Sequence, residues 1–459
     1  MSCGRRDPTP ADLTTARQQQ TKSKEDAYEW FVKTTVGAYE RIGKHDPKWD
    51  GDAKVALNLI ASASANRPDV PGDWQQQVST FARAALDKGC DDPFIRYAAI
   101  RYGIGNFKKT DLAVARELQE AVRQLVGTDY PPRLQYYATQ RAMEALIGAL
   151  PEKPEEQTQS DLFAIDSMLN FGANPYIEAI RDTTTPPEEI YQMCLTALDA
   201  PRMPPDGFLQ LWQQTDKALS DSGQKSNVRE LVKGWYHIQY AWRARGNGYA
   251  NEVTQEGGKL FEERLKIAEK ALTAAWEQDN ADTRPATLMI GVCLGLGKER
   301  PEMERRFHRA MLAAPDNYEA CFDKLHYLKP IWLGSPEDML AFGHECLTNT
   351  SWKGRTALLI VDAHDYLSTY GRQDPAARQA YWLRPEVWSD IHAAYEEFFR
   401  REPDALNWRQ SYVRDAYRCH AWDTLNEQLE LTGPVNYDYF GGREAFDRMV
   451  AVAKSHRKP

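Results

Sequence analysis

The chain has 459 residues, 42% hydrophobic and 27% charged, with 57 Lys plus Arg against 66 Asp plus Glu for a formal net charge of -9. That length exceeds the size at which one core keeps growing, so it predicts two or more domains or one extended repeat stack, while the apolar share excludes wholesale disorder. An acidic balance without a long basic block argues against nucleic acid as the main partner, and no run of about 20 apolar residues is present to form a transmembrane segment.

Residues 1–25 read as a flexible N-terminal segment. Within it, Met1-Ser2-Cys3-Gly4-Arg5-Arg6 and the polar run to Lys24 resemble the mature start of a bacterial lipoprotein. That likeness implies a cell-envelope protein anchored at Cys3 if a signal segment precedes Met1; otherwise the default compartment is the cytoplasm. Thr9-Pro10-Ala11-Asp12 marks a helix start. Its hydroxyl can accept from an orphan N–H, its proline fits the first helical position, and its acid suits the positive end of the helix dipole. The same device recurs at Thr185-Pro186-Pro187-Glu188 and Ser335-Pro336-Glu337-Asp338.

A first helical block is predicted over residues 26–150. In it Tyr39, Ile42 and Pro47 stand three and then five residues apart: two side chains one turn apart on a helix, then a proline past its end. The polar, proline-bearing stretch from Pro151 to Ser160 predicts a linker at 151–161, with a weaker break from Pro201 to Asp206. Residues 162–459 are then expected to form a C-terminal helical repeat block.

Trp235, Tyr236, Tyr240 and Trp242 crowd one predicted helix. Tyr236 and Tyr240 are one turn apart, Trp235 and Trp242 two turns. Four such rings cannot all face one way, so at least one is expected to reach a groove or a neighbouring hairpin. Rings there could stack on a sugar or hold a peptide, which makes these four the candidate binding residues; the plainer reading is inter-helix packing. Further on, Leu265, Ala268, Ala271, Leu272, Ala275 and Trp276 form an apolar stripe. So do Met303, Phe307, Ala310, Met311 and Ala314, and then Val387, Ile391, Ala394, Tyr395 and Phe398. Gly295-Leu296-Gly297-Lys298 is followed by Glu299, not the Ser or Thr of a phosphate loop, and reads as a helix-ending turn. Leu328-Lys329-Pro330 reads as a helix stop.

Chemistry is thinly marked. Asp362 and Asp365 lie one turn apart in a helix predicted over 356–369, with His364 between them. Paired acids at that spacing suit a helical-barrel enzyme acting on glycans, although a partly exposed helix face accounts for them more simply. His308, His326, His344 and His364 lack the spacing of metal ligands. The seven cysteines (Cys3, Cys90, Cys194, Cys293, Cys321, Cys346 and Cys419) are scattered without a Cys-x-x-Cys pair and read as buried, reduced thiols. No catalytic residue, metal or cofactor is assigned from the sequence.

The cassette at Tyr39, Ile42 and Pro47 recurs as Phe307, Ala310 and Pro315 and as Tyr395, Phe398 and Pro403. This spacing is similar to the end of the second helix of a tetratricopeptide repeat. Trp408, Tyr412 and Ala416 share one face of the helix that follows Pro403. The stretch from Phe307 to Leu347, with Ala314-Pro315-Asp316-Asn317-Tyr318-Glu319-Ala320 and Leu328-Lys329-Pro330-Ile331-Trp332-Leu333-Gly334-Ser335, resembles bacterial proteins with tetratricopeptide-like helices and no assigned activity. The resemblance, strongest at 307–347 and 395–422, implies an all-α fold of degenerate helical hairpins stacked as an α-solenoid. The hairpin cassettes, the absence of a catalytic motif and the excess of aromatic residues on helices point to a scaffold that binds a peptide or protein, rather than an enzyme.

Overall fold

The computed structural model describes residues 10–151, 157–199, 205–223, 226–246, 248 and 252–456. Among them are 21 α-helices and no β-strand. A chain whose apolar side chains return every three to four positions can bury them only by packing helix on helix. It divides into two compact units, Thr9–Val232 and Lys233–Pro459.

The first unit opens with α1 (Pro10–Ile42), α2 (Asp50–Ser64), α3 (Trp74–Asp87) and α4 (Pro93–Arg101). It continues with α5 (Leu112–Leu125), α6 (Pro132–Ala149), α7 (Gln159–Arg181), α8 (Pro187–Leu198) and α9 (Pro205–Asp221). From α1 to α9 each helix packs against the next in sequence. The core shared by α1 to α7 includes Tyr39, Leu57, Val78, Ile95, Leu118, Leu125 and Met143. Asp92 ties this order together. Its Oδ1 accepts from the backbone N–H groups of Phe94 and Ile95 at 2.9 and 3.1 Å, capping α4, and its Oδ2 accepts from the Tyr130 hydroxyl at 2.7 Å. A 3₁₀ turn at Phe107–Lys109 presses on α6. There a Cβ at Gly148 would sit 1.6 Å from the carbonyl oxygen of Phe107, so only glycine fits.

Residues 152–156 of the proline-bearing segment lie outside the described residues, as do 200–204 of the weaker break. Thr158, within the span 151–161, starts α7 with a capping box, its hydroxyl accepting from the Asp161 N–H and the Asp161 carboxylate accepting from the Thr158 N–H. Across that span α6 packs along α7.

α10 (Val228–Arg245) carries the chain into the second unit, which continues with α11 (Gln255–Gln278), α12 (Arg284–Gly295), α13 (Arg300–Ala313) and α14 (Tyr318–Tyr327). Then come α15 (Pro336–Thr348), α16 (Leu359–Thr369), α17 (Pro375–Trp382) and α18 (Pro385–Arg401). α19 (Arg409–Arg418), α20 (Trp422–Leu431) and α21 (Arg443–Ser455) close it. Here α12 packs on α13 and α14, α14 on α15 and α16, and α15 on α16 and α18. The stripes at 265–276 and 387–398 are buried throughout. Gly297, at φ +59°, makes the turn between α12 and α13, and α14 ends one residue before Leu328.

The helix starts are met unevenly. The Ser335 hydroxyl accepts from the Asp338 N–H at 3.1 Å, as expected of a cap. Thr185 does not cap α8: its hydroxyl donates back to the carbonyl of Ala179 at 3.1 Å, and Pro186 holds the cap position with no side-chain bond. Thr9 lies outside the described residues, one position before α1 begins.

Candidate functional site

The four aromatic residues singled out on α10 are divided by their helix. Tyr236 is wholly buried, Trp235 nearly so, and Tyr240 and Trp242 are half-buried. Tyr236 and Tyr240 meet edge to face at 6.0 Å, and the Arg264 guanidinium lies 4.1 Å from the Tyr240 ring centroid. Trp242 turns elsewhere. It contacts Phe261 at 4.9 Å and Trp332 at 6.1 Å, with Arg245 within 6 Å of both indoles, at 5.7 and 5.8 Å. Trp332 follows α14, and through it Trp242 joins a band of rings and titratable groups on α14 and α16.

That band starts with two aromatic pairs set one turn apart. Tyr318 and Phe322 on α14 stack at 6.2 Å, and Tyr366 on α16 stacks at 5.7 Å on Tyr370, which caps the C-terminal end of that helix. Phe322 remains 42% exposed and Tyr370 39%, well above what ring packing inside a core leaves. The Tyr318 hydroxyl donates to the Asp362 carboxylate, joining the two helices. The Arg355 guanidinium stacks 3.8 Å from the Tyr318 ring centroid and 5.4 Å from that of Trp408.

Electrostatics mark the same band. Burial pushes the Asp362 carboxyl up to about 6, against the opposing hydrogen bond from Tyr318. Burial, with repulsion from Glu319 one turn earlier, lifts Asp323 to about 7. Asp323 is half-buried and makes no hydrogen bond or ion pair with any described residue. Burial and the neighbouring Lys329 drop His326 to about 4. Burial also lowers Lys329, which Asp362 partly offsets.

The geometry explains the last two shifts. The Trp332 indole N–H donates to His326 Nε2 at 3.0 Å, so the one proton of a neutral ring belongs on Nδ1, which faces Lys329 Nζ at 3.3 Å. A positive charge on either group then meets a donor from the other. Lys329 Nζ is steadied instead by the Tyr366 ring, 4.8 Å from its centroid. His326, Lys329 and Asp362 are thus perturbed as one linked group, with Lys329 between the other two, and such grouping makes this a candidate site.

Asp362 and Asp365 do not converge. Asp365 is exposed and pairs with Arg418 at 2.8 Å. His364, between them, is buried; its Nδ1 meets the Tyr381 hydroxyl at 2.8 Å and its Nε2 meets Asp390 at 3.0 Å. Asp390 bridges on to His344 Nε2 at 2.9 Å. Among the described residues no group of three His, Cys, Asp or Glu side chains is placed to hold a metal ion, and no helix is long and apolar enough to cross a membrane.

Asp323, His326, Lys329 and Trp332 were not visible as site residues in the sequence. The signal that could have found them is the recurrence of aromatic residues four apart, Tyr318 with Phe322 and Tyr366 with Tyr370, on two helices that pack together. No protein-family model and no curated relative matches the chain.

Proposed function

We propose that this is a non-enzymatic interaction or scaffold protein that binds a peptide or protein segment on the face formed by α14 and α16. On this reading α12 to α16 are degenerate tetratricopeptide-like hairpins stacked as an α-solenoid; the support is that alternate helices α12, α14 and α16 neighbour one another while α13 and α15 each bridge to the next. The observation that carries the reading is the pair of aromatic stacks, exposed at Phe322 and Tyr370, on the two neighbouring helices that carry the half-buried carboxyl groups of Asp323 and Asp362. Rings of low conformational entropy supply contact area for a bound chain, and half-buried acids are placed to accept from its N–H groups.

The test is peptide selection on the full chain followed by affinity measurement with Phe322→Ser and Tyr370→Ser. Selected peptides should lose affinity by about tenfold or more, at least about 1.4 kcal/mol, in each variant. Equal binding by both variants, or no enriched peptide, would refute it.

A second reading, a glycan-active enzyme or a glycan-binding envelope lipoprotein, is favoured by one observation: a carboxyl lifted to about 6 beside aromatic rings, at Asp362. Release of reducing ends from a glycan panel by the native chain but not by Asp362→Asn would put it first. Cys3, on which the envelope version depends, lies outside the described residues. A cytoplasmic site is supported by the free state of Cys90, Cys194, Cys293, Cys321, Cys346 and Cys419.

A further inference from the structure

The first unit gathers arginines and tyrosines in a way its own contacts leave incomplete. On α6, Arg133, Tyr137 and Arg141 follow at intervals of four and so share one face. Tyr97, Arg101 and Tyr102, at the end of α4, lie within electrostatic reach of that face. Arg101, Arg133 and Arg141 all act electrostatically on Tyr102, and Arg101 and Arg141 act on Tyr97.

Partners are missing where they matter most. Arg133 is only 5% exposed, its guanidinium held 5.0 Å from the Trp30 ring centroid and 4.9 Å from that of Phe31. Its Nη1 reaches Glu189 at a long 3.4 Å, while Nε and Nη2, the two N–H groups of its fork, have no acceptor. The indole N–H of Trp30 is likewise buried without one. Tyr97 is 5% exposed, and neither its hydroxyl nor that of Tyr102 bonds to a described residue. Among the described residues Arg101 has only ring contacts, with Tyr102 at 5.0 Å and Phe107 at 4.4 Å. Arg141 pairs with Glu144 at 2.7 Å and remains 41% exposed.

Three guanidinium groups thus face two carboxylates, Glu144 and Glu189, in a chain whose overall charge is -9. Buried N–H donors without acceptors are costly, and a guanidinium fork matches the two oxygens of a carboxylate or phosphate better than any other group. We propose that the α4–α6 face binds an oxyanion, the carboxylate or phosphate of a small ligand. Arg101, Arg133 and Arg141 supply the charge, and Tyr97 and Tyr102 donate hydroxyl hydrogen bonds. The Trp74 ring, 5.3 Å from that of Tyr102, adds an apolar wall for what the anion is attached to. The partly exposed Arg141 marks the side of entry. This site is independent of the α14–α16 face.

The experiment is calorimetric titration of the full chain at low salt with inorganic phosphate and, separately, with benzoate. Saturable binding of at least one probe is expected, weakened about tenfold in Arg101→Gln and in Tyr97→Phe and unchanged in Arg448→Gln on α21. A response to phosphate alone assigns a phosphate ligand, and a response to benzoate alone a carboxylate. Circular dichroism checks that each variant keeps its helices. A loss of affinity in either of the first two, with helices intact, supports the site. Native affinity in both, or no saturable heat from either probe up to about 10 mM, overturns it.

Discussion

Asp323 shows how one side chain can carry a pH dependence. Its carboxyl titrates near 7 in the folded chain against an ordinary value of 3.8, so the folded state holds a proton that the unfolded state gives up. Stability is therefore lost as pH rises between those values, and the loss is complete above about 7. Asparagine has no proton to lose. Urea unfolding of Asp323→Asn should show it gaining roughly 2 to 4 kcal/mol on the native chain between pH 4 and pH 8. A difference that stays constant across that range would show that the carboxyl is not desolvated. His326, held near 4, works the other way between about 4 and 6.5, but it is present in both proteins and cancels. None of this is legible in sequence. Tyr318 and Asp362, which bond, are 44 residues apart, and periodicity reports which face is buried without saying what it meets. Trp235 and Trp242 stand two turns apart, near one line of α10, yet the first is buried and the second half-buried, a difference that spacing alone does not record.

For a whole helix, the legible part was the buried face. Val387, Ile391, Ala394, Tyr395 and Phe398 are all buried because a helix in a globular protein must hide one stripe, and the 3.6-residue repeat writes that stripe into the chain. Helix ends were less legible. Thr185 has the right chemistry for a cap, yet two prolines fix the backbone there and its hydroxyl finds the Ala179 carbonyl instead. Close approaches were not legible at all, since nothing in the sequence around Gly148 announces Phe107. That contact gives a test of the fold: Gly148→Ala should destabilise the protein by about 2 to 4 kcal/mol, read as a lower thermal midpoint, because a methyl group there overlaps a backbone oxygen that cannot step aside. An alanine tolerated without loss would mean that the 3₁₀ turn does not lie on α6.

Among the described residues, five cysteines, Cys90, Cys194, Cys293, Cys321 and Cys346, are buried and free, and Cys419 is half-buried. Burial pushes the thiols up, Cys293 to about 11 and Cys194 to about 12, so reactive thiolate is scarce as well as shielded. Thiol labelling with mass-spectrometric readout should leave all five unmodified in the native protein and label all seven cysteines in denaturant. Prompt native labelling of any of the five would contradict the packing described. The scattered spacing of these residues in the sequence already pointed to this state, because isolated small apolar side chains are best used inside a core.

The succession of neighbours from α1 to α9 has one more consequence, which concerns how the protein is made. Nearly every helix leans on the one just synthesised before it, so as the chain leaves the ribosome a new segment finds its docking surface already waiting, with little chain to close. Assembly can therefore keep pace with translation, and little greasy surface stays open to chaperones or to other nascent chains while the rest is still being added.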